Sequence, residues 1–354
     1  MYFVYNIFMK YTFFTNSERA WKSMFDAVGL AKKSIYLEMY IFKNDMDRFN
    51  FFNLLKSKAK EGIQVKLILD SFGSISLSNN SVLELKESGA EVLFLSYLRH
   101  RMHRKVLIVD EAVAFLGGVN LHQTARLWND LVVKIKGPLV RQLVMSFIKS
   151  YTHAFGKDLS LLNRVQSKKI LFKKVRSWLV EHSPVRNNFN LKDAYRKHID
   201  KAEKNIILVT PYFIPKRWLS ALLHQAVLRE VKVDILVPRN TDHFLIDRVN
   251  YFYMYRMSKL GINFYLEPDM NHAKLMILDG KEGMVGSQNL DFLSFELNSE
   301  IGVFFNEKEV VDRLSVISQS WQKNSVLFNI ETYKPRWFDY LLSPFINLFS
   351  KIFW

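Results

Sequence analysis

HRKVLIVDEAVAFLGGVN (His103–Asn120) and HAKLMILDGKEGMVGSQN (His272–Asn289) are two writings of one pattern, H-x-K-x4-D-x6-G-[GS]-x-N, with the same internal spacing in both. The flanks repeat as well. AWKSMFDAVGLAKKSIYLEMYIF (Ala20–Phe42) sets Trp21, Met24, Phe25 and Val28 at helical spacing and then turns into a strand-like run, as does DAYRKHIDKAEKNIILVTPYF (Asp193–Phe213). AKEGIQVKLILD (Ala59–Asp70) and VLREVKVDILVP (Val227–Pro238) each close a helix and enter a buried strand. SGAEVLF (Ser88–Phe94) and LGINFYL (Leu260–Leu266) each place a glycine turn before another strand.

Matching blocks lie about 168 to 172 residues apart in the same order, which indicates duplication of one unit. The expected fold class is α/β, with two similar lobes, each a β-sheet flanked by helices. The predicted organisation is a first lobe over residues 1–160, a basic connection over 161–190, a second lobe over 191–335 and an apolar amphipathic segment over 336–354. The stretch Asn163–Asn188 finds no counterpart in the repeat and is strongly basic, so it reads as the inter-lobe connection.

Composition narrows the chemistry. The 354 residues hold 50 Lys plus Arg against 34 Asp plus Glu, a net charge of +16, so anionic partners are favoured: phospholipid headgroups or nucleic acid. The absence of cysteine excludes disulfides, thiolate zinc sites and a cysteine nucleophile. MYFVYNIFMKYTFF is apolar but broken by Asn6 and Lys10 and lacks a small-residue cleavage site, so no signal peptide is expected. No run reaches about 18 uninterrupted apolar residues, so no transmembrane helix is expected either. Phosphate-loop, H-E-x-x-H and G-x-S-x-G signatures are absent, and Asp45 and Asp47 read as a solvated turn. No metal and no cofactor are expected.

If VLIV and LMIL are strands, His103 and Lys105 project from one face, as do His272 and Lys274, and each pair can converge on one phosphate. Asp110 and Asp279 complete the motif at the opposite strand parity, which points to a structural task. Gly117-Gly118 and Gly286-Ser287 permit close backbone approach, and Asn120 and Asn289 can donate to phosphate oxygens, so Gly118, Ser287, Asn120 and Asn289 form a candidate phosphate-binding shell. A reacting histidine also needs a carboxylate that fixes its tautomer. Asp130 and Glu300, 27 and 28 residues beyond the two histidines, are the matched candidates. His100 reads as part of a basic rim beside Arg99 and Arg101, and the remaining histidines, His122 among them, as structural or solvated.

These residues form the HKD motif, and from about Phe14 to Phe305 the chain resembles the phospholipase D superfamily. YLEMYIFKND (Tyr36–Asp45), LDSFGS (Leu69–Ser74), HRMHRK (His100–Lys105), TPYFIP (Thr210–Pro215) and GSQNLDFLSFELNSE (Gly286–Glu300) resemble bacterial cardiolipin synthases, and the short region ahead of the catalytic unit resembles the anchor-free type often called cardiolipin synthase B. The resemblance implies one active site at the lobe interface, complete within one chain, with His103, Lys105, Asp110, His272, Lys274 and Asp279 as its catalytic motif. It also implies a phosphatidyl-histidine intermediate, with His103 as nucleophile and His272 as acid, and transfer of a phosphatidyl group between phosphatidylglycerols. The implied location is peripheral, on the cytoplasmic side of the bacterial cell membrane, with anionic phospholipids as partners. A hydrolase, a phosphatidylserine synthase or a nuclease of the same superfamily is the alternative, and an inactive membrane-binding homologue the non-enzymatic one.

The C-terminal WFDYLLSPFINLFSKIFW (Trp337–Trp354) is too interrupted to span a bilayer. From Pro344 a helix would gather Phe345, Leu348, Phe349 and Ile352 on one face, the pattern of an interfacial anchor or of a core-packing stripe.

Overall fold

The computed structural model of the chain describes residues 9–97, 100–166, 177–337 and 339. In the first lobe the hydrophobic runs form β1 (Lys10–Asn16), β2 (Ser34–Met39), β3 (Gln64–Leu69), β4 (Glu91–Phe94), β5 (Val106–Val109), β6 (Val113–Gly117) and β7 (Asn129–Lys136). SIYLEM and VLIV are buried at every position, as strands covered on both faces must be. The sheet order is β1-β7-β6-β5-β2-β3-β4. β2, β3 and β4 are parallel, while β5 runs antiparallel to β2 and so carries the His–Lys motif into the middle of the sheet.

The second lobe consists of β8 (Ser177–His182), β9 (Asn205–Val209), β10 (Lys232–Pro238), β11 (Asn263–Glu267), β12 (Leu275–Leu278), β13 (Glu282–Gly286), β14 (Glu300–Phe305) and β15 (Val326–Leu327). Its order, β8-β14-β13-β12-β9-β10-β11-β15, matches the first sheet with one edge strand added. The turn glycines of the repeat, Gly89 and Gly261, both take positive φ, +98° and +87°, ahead of β4 and β11.

One expectation is corrected. Asn163–Asn188 has a counterpart after all: β8 pairs antiparallel along β14 as β1 does along β7. An edge strand of six residues takes its identity from a partner more than a hundred residues away, which local hydropathy does not record. Within that connection, residues 167–176 lie outside the described residues, as do Leu98 and Arg99.

Three apolar clusters hold the layers. Helices Ser17–Gly29, Phe51–Lys60 and Asn79–Glu87 cover the outer face of the first sheet, and Asn190–Asp200, Arg217–Leu228 and Phe244–Ser258 that of the second. The central cluster draws on both sheets, with Val106, Ile108, Leu275 and Ile277 among its members, and on helices Leu139–His153 and Lys308–Lys323. The lobes therefore share one interior. Helix Ser17–Gly29 shows how local sequence builds a layer. Asn16 caps it by accepting from the Glu18 and Arg19 N–H groups, and Trp21, Met24 and Val28 go into the core, each worth roughly 1.5–3 kcal/mol of burial.

Among the described residues no helix is long and apolar enough to cross a membrane. Of the stretch Trp337–Trp354 only Trp337 and Asp339 are described: Trp337 is exposed, and buried Asp339 accepts from Arg248 Nε at 3.0 Å and Nη2 at 2.6 Å. The stretch expected to be an anchor, Ser343–Trp354, lies outside the described residues.

Candidate active site

Two reciprocal β-bridges bring the motifs together. Ser299 donates its N–H to the Arg101 carbonyl (2.8 Å) and accepts from His103 N–H (3.0 Å); Asn129 donates to the Met270 carbonyl (2.9 Å) and accepts from His272 N–H (2.7 Å). Both bridges are parallel. Each lobe thus lays the residue just before its carboxylate beside the other lobe's histidine.

The consequence is an exchange of partners. Nδ1 of His103 lies 2.9 and 3.1 Å from the two oxygens of Glu300, and Nδ1 of His272 lies 3.1 Å from Asp130 Oδ2. Asp130 and Glu300 are the orienting carboxylates that sequence spacing selected, but each serves the histidine of the opposite lobe. With Nδ1 engaged, Nε2 of each ring is left to face a reacting atom. The lysines fold back beside them: Lys105 Nζ donates to the His103 carbonyl at 2.7 Å, and Lys274 Nζ to the His272 carbonyl at 2.5 Å.

Two shell assignments change. The Ser287 hydroxyl donates to Glu300 Oε2 and accepts from Ile301 N–H, so it orients the carboxylate and does not present itself to phosphate. At Gly118, the matching position, a Cβ would collide with Asp130 Oδ1 and the His272 carbonyl. Glycine there makes room for the second pair. Buried Asn120 accepts from Ile41 N–H through Oδ1 (3.2 Å), which fixes its amide; one Asn289 donor reaches Asp291 at 3.3 Å.

Asp110 and Asp279 stand apart from this cluster, which corrects the implied catalytic role and upholds the parity argument. Asp110 ends β5 at φ 52° and accepts from the N–H groups of Lys32, Lys33 and Ser34 at 2.7–3.1 Å. Asp279, at φ 54°, accepts in the same way from Glu203, Lys204 and Asn205. Each clasps the start of the neighbouring antiparallel strand, β2 or β9.

Burial tunes the cluster. It pushes Lys105 down to about 7 and Lys274 to about 8, and Asp130 up to about 7. His103 falls to about 4 through burial, against the pull of Glu300, and His272 lies well below the usual range through burial and the two lysines. Burial also works to raise Glu300, but His103, Lys105 and Ser287 outweigh it and hold the carboxylate below its ordinary value.

Sequence reasoning missed several neighbours. Tyr40 stands edge-on to His103 at 4.7 Å with Lys105 Nζ 5.0 Å from its ring, and Trp128 and Tyr212 flank His272 at 5.6 and 6.4 Å. Asp70 accepts from Met102 N–H at 2.8 Å. Tyr40, Asp70 and Tyr212 fall within blocks that carry the family likeness, which was the available signal. His100 bonds across the lobes, Nδ1 to the Leu297 carbonyl at 2.9 Å. Asp45 and Asp47 bond to Gln123 and are not simply solvated. Among the described residues no group of three or more His, Cys, Asp or Glu could hold a metal ion.

Two lobes of one sheet order, each delivering a histidine–lysine pair to a common buried cluster, define an enzyme of the phospholipase D superfamily. The chain belongs to the family described as cardiolipin synthase, PLD-like domain, which it matches over residues 24–158 and 195–321. It is 31% identical over 343 residues to the cardiolipin synthase of Clostridium perfringens (87% of this chain, 72% of that one), and 27% identical over 355 residues to the "Probable cardiolipin synthase YwiE" of Bacillus subtilis (95% and 71%). Among solved structures, the phosphatidylserine synthase of Haemophilus influenzae superposes with a TM-score of 0.74 at 14% identity, over 96% of this chain and 94% of that one, a likeness of fold.

Proposed function

We propose that the chain is a phosphatidyltransferase that joins two phosphatidylglycerols into cardiolipin and releases glycerol, at a site complete within one chain. The observation that carries this is the pair of crossed histidine–carboxylate contacts, His103–Glu300 and His272–Asp130, with Lys105 and Lys274 beside them.

In the first step His103 Nε2 attacks the donor phosphorus, the bond from phosphorus to the glycerol oxygen breaks, and His272 gives that oxygen its proton. In the second, His272 takes the proton of the acceptor hydroxyl, whose oxygen attacks phosphorus as the bond to His103 breaks. Glu300, held ionised, favours His103 as nucleophile because the phosphorylated ring is cationic and a fixed anion at Nδ1 stabilises it. Asp130, raised to about 7, keeps a proton available to the His272 pair near neutrality. Lys105, Lys274, Asn120 and Asn289 would hold the phosphoryl oxygens, a task metal ions perform in other phosphoryl transfers.

The net charge of +16 suits a peripheral position on anionic lipid, at the cytoplasmic side of the cell membrane. Incubating the purified protein with phosphatidylglycerol and separating the lipids tests the reading. Cardiolipin and glycerol are expected; phosphatidic acid alone would mark a hydrolase, and degradation of added DNA with lipid untouched, a nuclease.

A further inference from the structure

His122 has no part in the chemistry above, yet it is only 5% exposed and rigidly held. Leu121 bonds to Ile41 and Lys43 through its backbone, Asp45 Oδ1 accepts from Gln123 N–H at 3.0 Å, and the Gln123 side chain donates to Asp47 at 3.2 Å. Nδ1 of His122 meets Thr124 Oγ1 at 2.6 Å. Nε2, also buried, has no hydrogen-bond partner among the described residues. A buried imidazole nitrogen without a partner is costly and calls for a ligand. The matching position in the second lobe, Asp291, is satisfied internally by Ser294 N–H at 2.8 Å and by Asn289.

The surroundings say which ligand. His122 stands edge-on to Trp128 at 5.7 Å, and Trp128 lies against His272 at 5.6 Å. From the other lobe Tyr212 approaches His272 at 6.4 Å and gives its hydroxyl to Asp242. His122 is near enough to feel the charges of Lys43, Asp45 and Asp242, and burial holds it neutral with its pKa at about 4. As a neutral ring it offers one donor and one acceptor, the complement of a hydroxyl. Two aromatic rings, an imidazole and a carboxylate beside the proton-transferring histidine suit a molecule with carbon–hydrogen faces and several hydroxyls.

We propose that His122 and Asp242 recognise the hydroxyls of a polyol acceptor, holding it over Trp128 and Tyr212 while His272 deprotonates the attacking oxygen. This rests on the phosphatidyltransferase reading and names the acceptor class. His122 exchanges no proton; it is a specificity residue, binding a hydroxyl that does not react. Loss of a buried hydroxyl partner discriminates strongly against alcohols that lack it.

The test varies a soluble acceptor. With detergent-dispersed cardiolipin as donor, one phosphatidylglycerol departs in either case; transfer to isotope-labelled glycerol gives labelled phosphatidylglycerol, transfer to ethanol gives phosphatidylethanol, and the ratio of the two kcat/KM values is the readout. His122→Phe is expected to lower the glycerol-to-ethanol ratio by about tenfold or more, with part of it restored in His122→Asn. Asp242→Asn, at an exposed position that does not endanger folding, should lower the same ratio. A ratio unchanged in Asp242→Asn and in whichever His122 variant folds, or a proportional fall for both alcohols, overturns the inference while leaving phosphatidyl transfer standing. Failure of the unaltered protein to transfer to either alcohol overturns the function proposed and this inference with it.

Discussion

Glu300 accepts from both His103 and the Ser287 hydroxyl, whereas the second pair has glycine at the position matching Ser287. The two halves of the site are thus related by the repeat but not equivalent in charge. Replacing His103 or His272 by Ala should lower turnover by at least about 100- to 10,000-fold, and a rapid detergent quench at neutral to mildly alkaline pH, where the phosphorus–nitrogen bond survives, should trap the phosphatidyl adduct on His103; an adduct on His272 would reverse the two roles. Gly118→Ala pushes on the Asp130–His272 pair, and a displacement near 1 Å is expected to cost roughly 100-fold in kcat, read alongside a melting curve that stays cooperative. The pH profile of kcat/KM follows from the shifted groups. It should rise through about 4 as His103 loses its proton and its lone pair becomes available, then fall through about 7 to 8 as Lys105 and Lys274 lose their charge. A rate still climbing above about pH 9 would remove the lysine cations from the mechanism.

At the scale of elements, the aspartates of the motif fasten strands. Asp110 and Asp279 each gather three backbone N–H groups at the start of β2 and β9. Asp110→Asn is expected to cost about 1.5–3 kcal/mol in urea unfolding, the range for hydrogen bonds to a charged group, with kcat close to that of the parent. Burial is the largest single influence and works to raise both carboxylates, but the three backbone donors together prevail and hold them below the ordinary value. Their contribution is therefore present above about pH 4 and lost as pH falls further, so the parent and the Asn variant should converge in stability at low pH. Loss of turnover without loss of stability in Asp110→Asn would contradict this division of labour. Strand parity was enough to anticipate it, because Asp110 and Lys105 are an odd number of residues apart.

At the scale of the molecule, the proposed mechanism gives cations fixed in the protein the task of a bound metal, so cardiolipin formation should survive excess EDTA; complete loss with recovery on adding Mg2+ would refute the proposed chemistry. Attraction of a +16 chain to phosphatidylglycerol vesicles should weaken as salt shortens the screening length from about 10 Å at 0.1 M, which sedimentation can follow. The repeat, the two α/β lobes, both histidine–lysine pairs and the two carboxylates were determined by the sequence itself, because hydrophobic periodicity and residue spacing are local and were written twice. The tertiary structure alone decided that β8 closes the second sheet, that Asp130 serves His272 while Glu300 serves His103, that Ser287 meets Glu300 and Gly118 lies against Asp130, and that buried His122 keeps a ring nitrogen without a partner among the described residues. The strand pairing and the crossed carboxylates are contacts between residues far apart in the chain, set by how two sheets pack around a shared core, and spacing along one strand carries no record of what lies across from it.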